Sequence, residues 1–218
     1  SGAWMDGERT RRIEDGKLIT PIAYLVTNFA APQAGREATM THDEVTTLFH
    51  EFGHTLHHIL TAQTEPQVSG INGVEWDAVE LPSQFLENFA WEHEIVKSIS
   101  AHVETGEELP DELFDKMIAA KNYEAGAFCV RQVEFALFDM LLHSAFDPKT
   151  DSVQALLESV RREVAVVFPP AWNRFPQSFS HIFAGGYGAG YYSYKWAEVL
   201  SADCFSAFEE EGVLNPET

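Results

Sequence analysis

The chain has 218 residues, 45% of them hydrophobic, and its 34 acidic against 14 basic residues give a formal net charge of −20. That length and apolar content bury a real core and exclude a disordered chain, while the excess of carboxylates repels phosphate backbones and anionic membrane surfaces, so neither nucleic acid nor a membrane is an expected partner. No stretch approaches the roughly 20 apolar residues that span a bilayer, and Cys129 and Cys204 form no CxxC pair, which suits reduced thiols in a cytoplasmic compartment.

In chain order, Leu18 to Ala30 is rich in β-branched and aromatic residues and ends in the Pro/Gly break at 31–35, predicting one or two strands. Thr41 and Glu44 form a capping box ahead of Val45, Leu48, Phe49, Phe52, Leu56 and Ile59, which recur at helical spacing, so a helix is expected from about His42 to Thr61. Gln63 to Trp76 carries Pro66, Gly70 and Gly73 and reads as a loop. A second long helix is expected from about Val79 to Ala101, with Pro82 tolerated in its first turn. Further helical patterns occupy roughly Asp111 to Ala120, Tyr123 to Ser144, Ser152 to Val167 and Tyr191 to Glu210, and Ala184 to Gly190 is a glycine-rich loop. The expected fold class is mainly α with a small β-sheet, in one domain over residues 1–218, since no repeat, linker or composition shift marks a boundary.

His50-Glu51-Phe52-Gly53-His54 matches HExxH inside the first predicted helix, which puts both imidazoles on one face a single turn apart, a spacing that can chelate one metal ion. Gly53 costs a helix roughly 1 kcal/mol against Ala, a penalty easier to understand if something approaches the backbone there. A catalytic zinc takes three protein ligands and keeps a fourth position for water. The metzincin extension fails, because His57 and Leu60 stand where its glycine and third histidine would fall. A carboxylate from the following helix is the alternative, and Glu80 stands at that helix's start. His57 lies one turn further along and reads as a supporting or surface group. His42, His58, His93, His102 and His143 have no partner spacing. A ferritin-like di-metal site is excluded, because no histidine other than His54 has a glutamate three residues before it.

The strings His50 to His54, Glu80-Leu81-Pro82-Ser83-Gln84, Glu87-Asn88, His181 to Tyr187 and Tyr191-Tyr192-Ser193-Tyr194, together with Gly2 to Asp6, resemble the thimet oligopeptidase family of zinc peptidases, peptidase family M3, over essentially the whole chain. The resemblance implies a zincin-like catalytic lobe holding one Zn2+ through His50, His54 and Glu80, with His181, Tyr187, Tyr191 and Tyr194 facing the substrate. It also implies short peptides as substrates, and an amino-terminal helical lobe that these residues do not supply. The remainder of such a full-length enzyme would then be a partner of the chain. A catalytically impaired zinc-binding fragment, or another HExxH gluzincin, is the alternative.

The residues themselves allow a mechanism. Zinc bound to two imidazoles and a carboxylate lowers the pKa of its water from about 15.7 toward roughly 7. Glu51, off the ligand spacing, can take the water's proton and later pass it to the leaving amine. Tyr194, Tyr187 and His181 are the candidate donors to the tetrahedral oxyanion, and the resemblance implies that Tyr191 and the loop residue Gly186 lie beside the substrate. Tyr192 and Trp196 read as packing residues. The edge at about Ile22 to Phe29 is the candidate for pairing with an extended peptide.

Overall fold

In the computed structural model, which describes residues 2–35 and 37–218, four short strands precede eight helices. Strand β1 (Trp4–Arg9) pairs antiparallel with β4 (Ile22–Val26), and β2 (Arg12–Glu14) forms a hairpin with β3 (Lys17–Ile19). The hairpin turn is Asp15-Gly16, both at positive φ (49° and 74°), the conformation that the right-handed twist of two short strands demands. The strand expectation therefore held for β3 and β4 but missed β1 and β2. Gly7 interrupts the alternation of β1, where the register also shifts between Gly7 and Arg9.

Helix α1 (His42–Ile59) starts as the sequence predicts: the Thr41 hydroxyl accepts from the Glu44 N–H, while the Glu44 carboxylate accepts from the Thr41 N–H. It packs against β1, β4 and helix α2 (Leu81–Glu87). The second long helix does not form as one piece. After α2 the chain tightens into a 3₁₀ turn over Asn88–Trp91, becomes extended at Glu92 and restarts as α3 (His93–Ile99). The Asn88 side chain explains the break, because its amide donates to the carbonyls of Gln84 and Phe85, which the next helical turn would otherwise use. The 63–76 segment is a loop with a 3₁₀ turn at Pro66–Val68.

The remaining helices are α4 (Asp111–Lys121), α5 (Ala125–Ser144), α6 (Val153–Val164), α7 (Ser180–Phe183) and α8 (Ser193–Glu211). Helix α6 stops three residues short of the expected Val167. Pro169 and Pro170 follow, and proline disfavours helical backbone in the residue before it.

The chain divides into two compact units, Ser1–Phe114 with Ala197–Thr218, and Asp115–Trp196. In the first, Phe85 and Phe89 meet Phe205 and Phe208 at ring-centroid distances of 5.2–6.1 Å. The buried His58 ties α1 to β1, its Nε2 lying 3.0 Å from the Arg9 carbonyl oxygen. In the second unit α5 packs on α6, and the core consists of Phe138, Leu157, Val160, Phe179, Ile182 and Tyr191. Burying each of these large apolar side chains contributes about 1.5–3 kcal/mol.

Candidate metal centre

One face of α1 presents His50 and His54, with ring centroids 5.1 Å apart and planes nearly perpendicular. Glu80 immediately precedes α2 and is 1% exposed. Its Oε2 lies 3.3 Å from His50 Nε2 and 3.2 Å from His54 Nε2. Helices α1 and α2 can approach this closely because of Gly53: a Cβ there would stand 2.4 Å from the Pro82 carbonyl oxygen and 2.6 Å from Ser83 Cα. The helical glycine thus serves the approach of the backbone that carries Glu80.

Two more α2 side chains complete the arrangement, and sequence reasoning gave neither a role. Ser83 Oγ donates to Glu80 Oε2 at 2.8 Å, fixing the carboxylate's rotation. Glu87 Oε1 lies 2.6 Å from His50 Nδ1. The signal for Glu87 was available, since it stands seven residues after Glu80 and therefore two turns along the same helix face.

The donor set fits a metal ion. With the Nδ1 proton of His50 given to Glu87, the Nε2 lone pair turns inward, the orientation in which a carboxylate holds a ligating histidine. Two imidazole nitrogens and a carboxylate oxygen then converge, all within 4.8 Å of one another. Acceptors gathered in a buried place repel unless a proton or a cation lies among them. Two nitrogens and one carboxylate oxygen are the ligand types zinc takes. The buried Nδ1 of His54 has no hydrogen-bond partner among the described residues.

In the metal-free protein, protons take the cation's part. Burial would pull the His50 imidazole down, but the Glu80 and Glu87 carboxylates outweigh it and push it up to about 10. Burial likewise opposes ionisation of Glu80, and His50 and His54 overcome it, holding that carboxyl far below the usual carboxylate range. Glu51 is 5% exposed on the same turn of α1. Burial pushes its carboxyl up, with His50 and His54 pulling the other way, and the Met5 backbone supplies it a hydrogen bond. A carboxylate raised in this way is a better proton acceptor near neutral pH than an ordinary one.

His57 does not join the converging group. It lines an apolar groove of about 470 Å³ with Leu56, Leu60, Pro82, Phe85 and Leu86, and burial lowers its pKa. His58 is a satisfied core histidine, and His42 bonds the Ala90 carbonyl.

The other candidate residues assemble within the second unit. Tyr187 and Tyr194 stack at 4.9 Å, and His181 lies 6.2 Å from Tyr187, 5.8 Å from Tyr191 and 6.0 Å from Tyr194. Tyr191 is buried in the core, and its hydroxyl donates to Gln132 Oε1 at 2.9 Å. Gly186 sits at φ 88°, a conformation glycine adopts without strain. Strand β4 ends at Val26, short of the predicted edge to Phe29, and its backbone pairs with β1 on one side.

Known proteins share this chain's sequence at length. Residues 1–218 match the family described as Peptidase family M3. The whole chain is 59% identical to oligopeptidase A of Salmonella typhimurium (strain LT2) and 59% identical to oligopeptidase A of Escherichia coli (strain K12), covering 32% of each. Saccharolysin of Saccharomyces cerevisiae is 34% identical over 93% of the chain, which covers 29% of that protein. The chain thus spans about a third of the length of the curated relatives it matches. A match that runs unbroken from the first strand to the last helix, taking in His50 to His54 and Glu80 on the way, establishes that this chain belongs to peptidase family M3.

Proposed function

We propose that this chain is the catalytic, zinc-binding part of a cytoplasmic oligopeptidase that hydrolyses short peptides. The observation that carries the reading is the convergence of His50 Nε2, His54 Nε2 and Glu80 Oε2 beside the buried Glu51. Relatives bearing the name oligopeptidase A support the substrate class. The free thiols of Cys129 and Cys204 support a reducing compartment. Among the described residues no helix is long and apolar enough to cross a membrane.

His50, His54 and Glu80 would hold one Zn2+, with Glu87 fixing His50 and Ser83 fixing Glu80. A bound zinc ion supplies Lewis acidity, polarising the scissile carbonyl and acidifying the attacking water. Glu51 accepts that water's proton, and as the C–N bond breaks it delivers the proton to the leaving amine. Burial, which pushes its carboxyl up, favours the proton-accepting half of that transfer. Tyr187, Tyr194 and His181 are the candidate O–H and N–H donors to the oxyanion and Gly186 a candidate neighbour of the substrate, whereas Tyr191, buried with its hydroxyl on Gln132, supports their ring cluster from the core. The remainder of the longer polypeptide found in the relatives would supply further substrate contacts.

The test is Glu51→Gln, which keeps shape and removes proton affinity. Zinc content should stay at the parent's one ion per chain while cleavage of a quenched fluorogenic peptide falls by about 100-fold or more, the upper part of what a positioned acid–base group contributes. Parental cleavage by this variant would remove Glu51 as the base.

A further inference from the structure

The glycine-rich segment between α7 and α8 carries Tyr187 and leads into Tyr191 and Tyr194. Several of its backbone N–H groups are satisfied locally: Ala184 and Gly185 donate to Ser180, Tyr187 to His181, and Gly190 to Tyr187. Two are not. Ala189 donates to Asp139 Oδ1 and Tyr191 donates to Asp139 Oδ2, each at 2.9 Å, across 50 and 52 residues of sequence. Asp139 lies on α5, is 1% exposed, and uses both carboxylate oxygens on this one segment.

The contact is specific in two further ways. His143, one turn along α5, bonds the Asp139 main-chain carbonyl through Nδ1 at 2.9 Å, with the same nitrogen 2.8 Å from Asp139 Oδ1, and sets its ring against Gly188, where a Cβ would come within 3.1 Å of His143 Nε2. Ala189 sits at φ 59°, a left-handed conformation that an alanine adopts only when its surroundings hold it there. Only a carboxylate offers two acceptor oxygens and no donor to a pair of converging N–H groups; an amide in the same place would turn its NH₂ toward one of them.

We propose that Asp139, supported by His143, is a positioning residue for catalysis: it fixes the segment 188–191, and through it the stacked Tyr187–Tyr194 pair and the nearby His181. This inference rests on the peptidase reading for its consequence and on the geometry alone for the anchor. Donors aimed at a developing oxyanion act in the transition state, so loosening them lowers kcat more than it raises KM. A displacement of about 1 Å costs on the order of 100-fold.

The experiment compares the zinc-loaded parent with Asp139→Asn and His143→Gln by hydrogen exchange at Ala189 and Tyr191 and by kcat and KM on a fluorogenic peptide. For Asp139→Asn we expect at least about tenfold faster exchange at those two amides, parental zinc content, and kcat lowered about 10- to 100-fold with KM within about threefold. The pH profile should keep its shape, because Glu51 is untouched. If Asp139→Asn does not fold, His143→Gln, whose side chain is partly exposed, reads the same contact through faster exchange over 188–191 and a severalfold lower kcat. Parental exchange at both amides overturns the anchor. Faster exchange with parental kcat overturns the catalytic role. Failure of the peptidase reading is seen separately, as a Glu51→Gln variant that still cleaves peptide, and would remove the catalytic consequence while the exchange data still decide the anchor.

Discussion

Replacing Gly53 with alanine sets two effects against each other, and the structure decides between them. On an exposed helix the change stabilises by about 1 kcal/mol, because alanine has less backbone freedom to lose. In α1 the new methyl would lie 2.4 Å from the Pro82 carbonyl oxygen and 2.6 Å from Ser83 Cα. Both are backbone atoms that no rotamer can move aside. Comfortable non-bonded contacts between carbons lie near 3.5 Å, so α2 must withdraw by about 1 Å, and overpacking of this kind costs roughly 1–3 kcal/mol. The net is a loss of about 0–2 kcal/mol. The larger consequence falls on the metal. Helix α2 carries Glu80 and Glu87, and an oxygen displaced by 1 Å is well outside the roughly 0.2 Å tolerance of a zinc–ligand distance. Zinc affinity should fall at least about tenfold, measured by competition with a chromophoric chelator, alongside thermal melts with and without metal. A variant that melts higher than the parent and binds zinc equally well would refute the close helix approach as the reason for the glycine.

Glu80→Ala leaves two imidazoles to hold the ion, and zinc should be lost under mild chelation together with peptide cleavage; full occupancy would refute Glu80 as the third ligand. Glu87→Gln weakens the hold on His50 Nδ1–H, and zinc affinity should drop by about 10- to 100-fold, the usual cost of losing such a supporting partner; an unchanged dissociation constant would make Glu87 incidental. The metal-free protein should show a pH signature. His50 is raised from 6.5 to about 10, so its contribution to stability is full below pH 6.5 and lost as pH rises through about 10. Melting temperature of the metal-free protein should therefore decline over that window, whereas the zinc-loaded protein, with His50 already deprotonated, should not follow it. Parallel curves would contradict protonation of His50 in the empty site.

The sequence was most informative where the determinants were local. The Thr41–Glu44 box and the period of Val45, Leu48, Phe52 and Leu56 fixed the start of α1 and hence the spacing of His50 and His54. Asp15-Gly16 is an equally local hairpin signal for β2 and β3, whereas β1, interrupted by Gly7, carries no clear alternation of its own. The break after Glu87 was harder to see, because helical periodicity continues through it and the cause is the Asn88 amide capturing carbonyls behind it. Glu80 could be nominated from its place after the loop, but its burial against His50 and His54 depends on how closely two helices meet. Asp139 was out of reach: its partners lie 50 and 52 residues away, and nothing in the residues around it points to a glycine-rich turn.

The hydrogen bond that Glu51 receives comes from the backbone of Met5, on β1. A main-chain amide is present whatever side chain the residue bears, so point mutation at position 5 leaves the donor in place, with proline the one exception. The orientation of the base is thereby insulated from sequence drift at its own contact, and selection there acts on the path of the strand rather than on the identity of a residue. Substitution of Met5 by any residue but proline should therefore leave the contact intact, while a shift of β1 along its neighbour β4 by one residue would carry the amide away from Glu51.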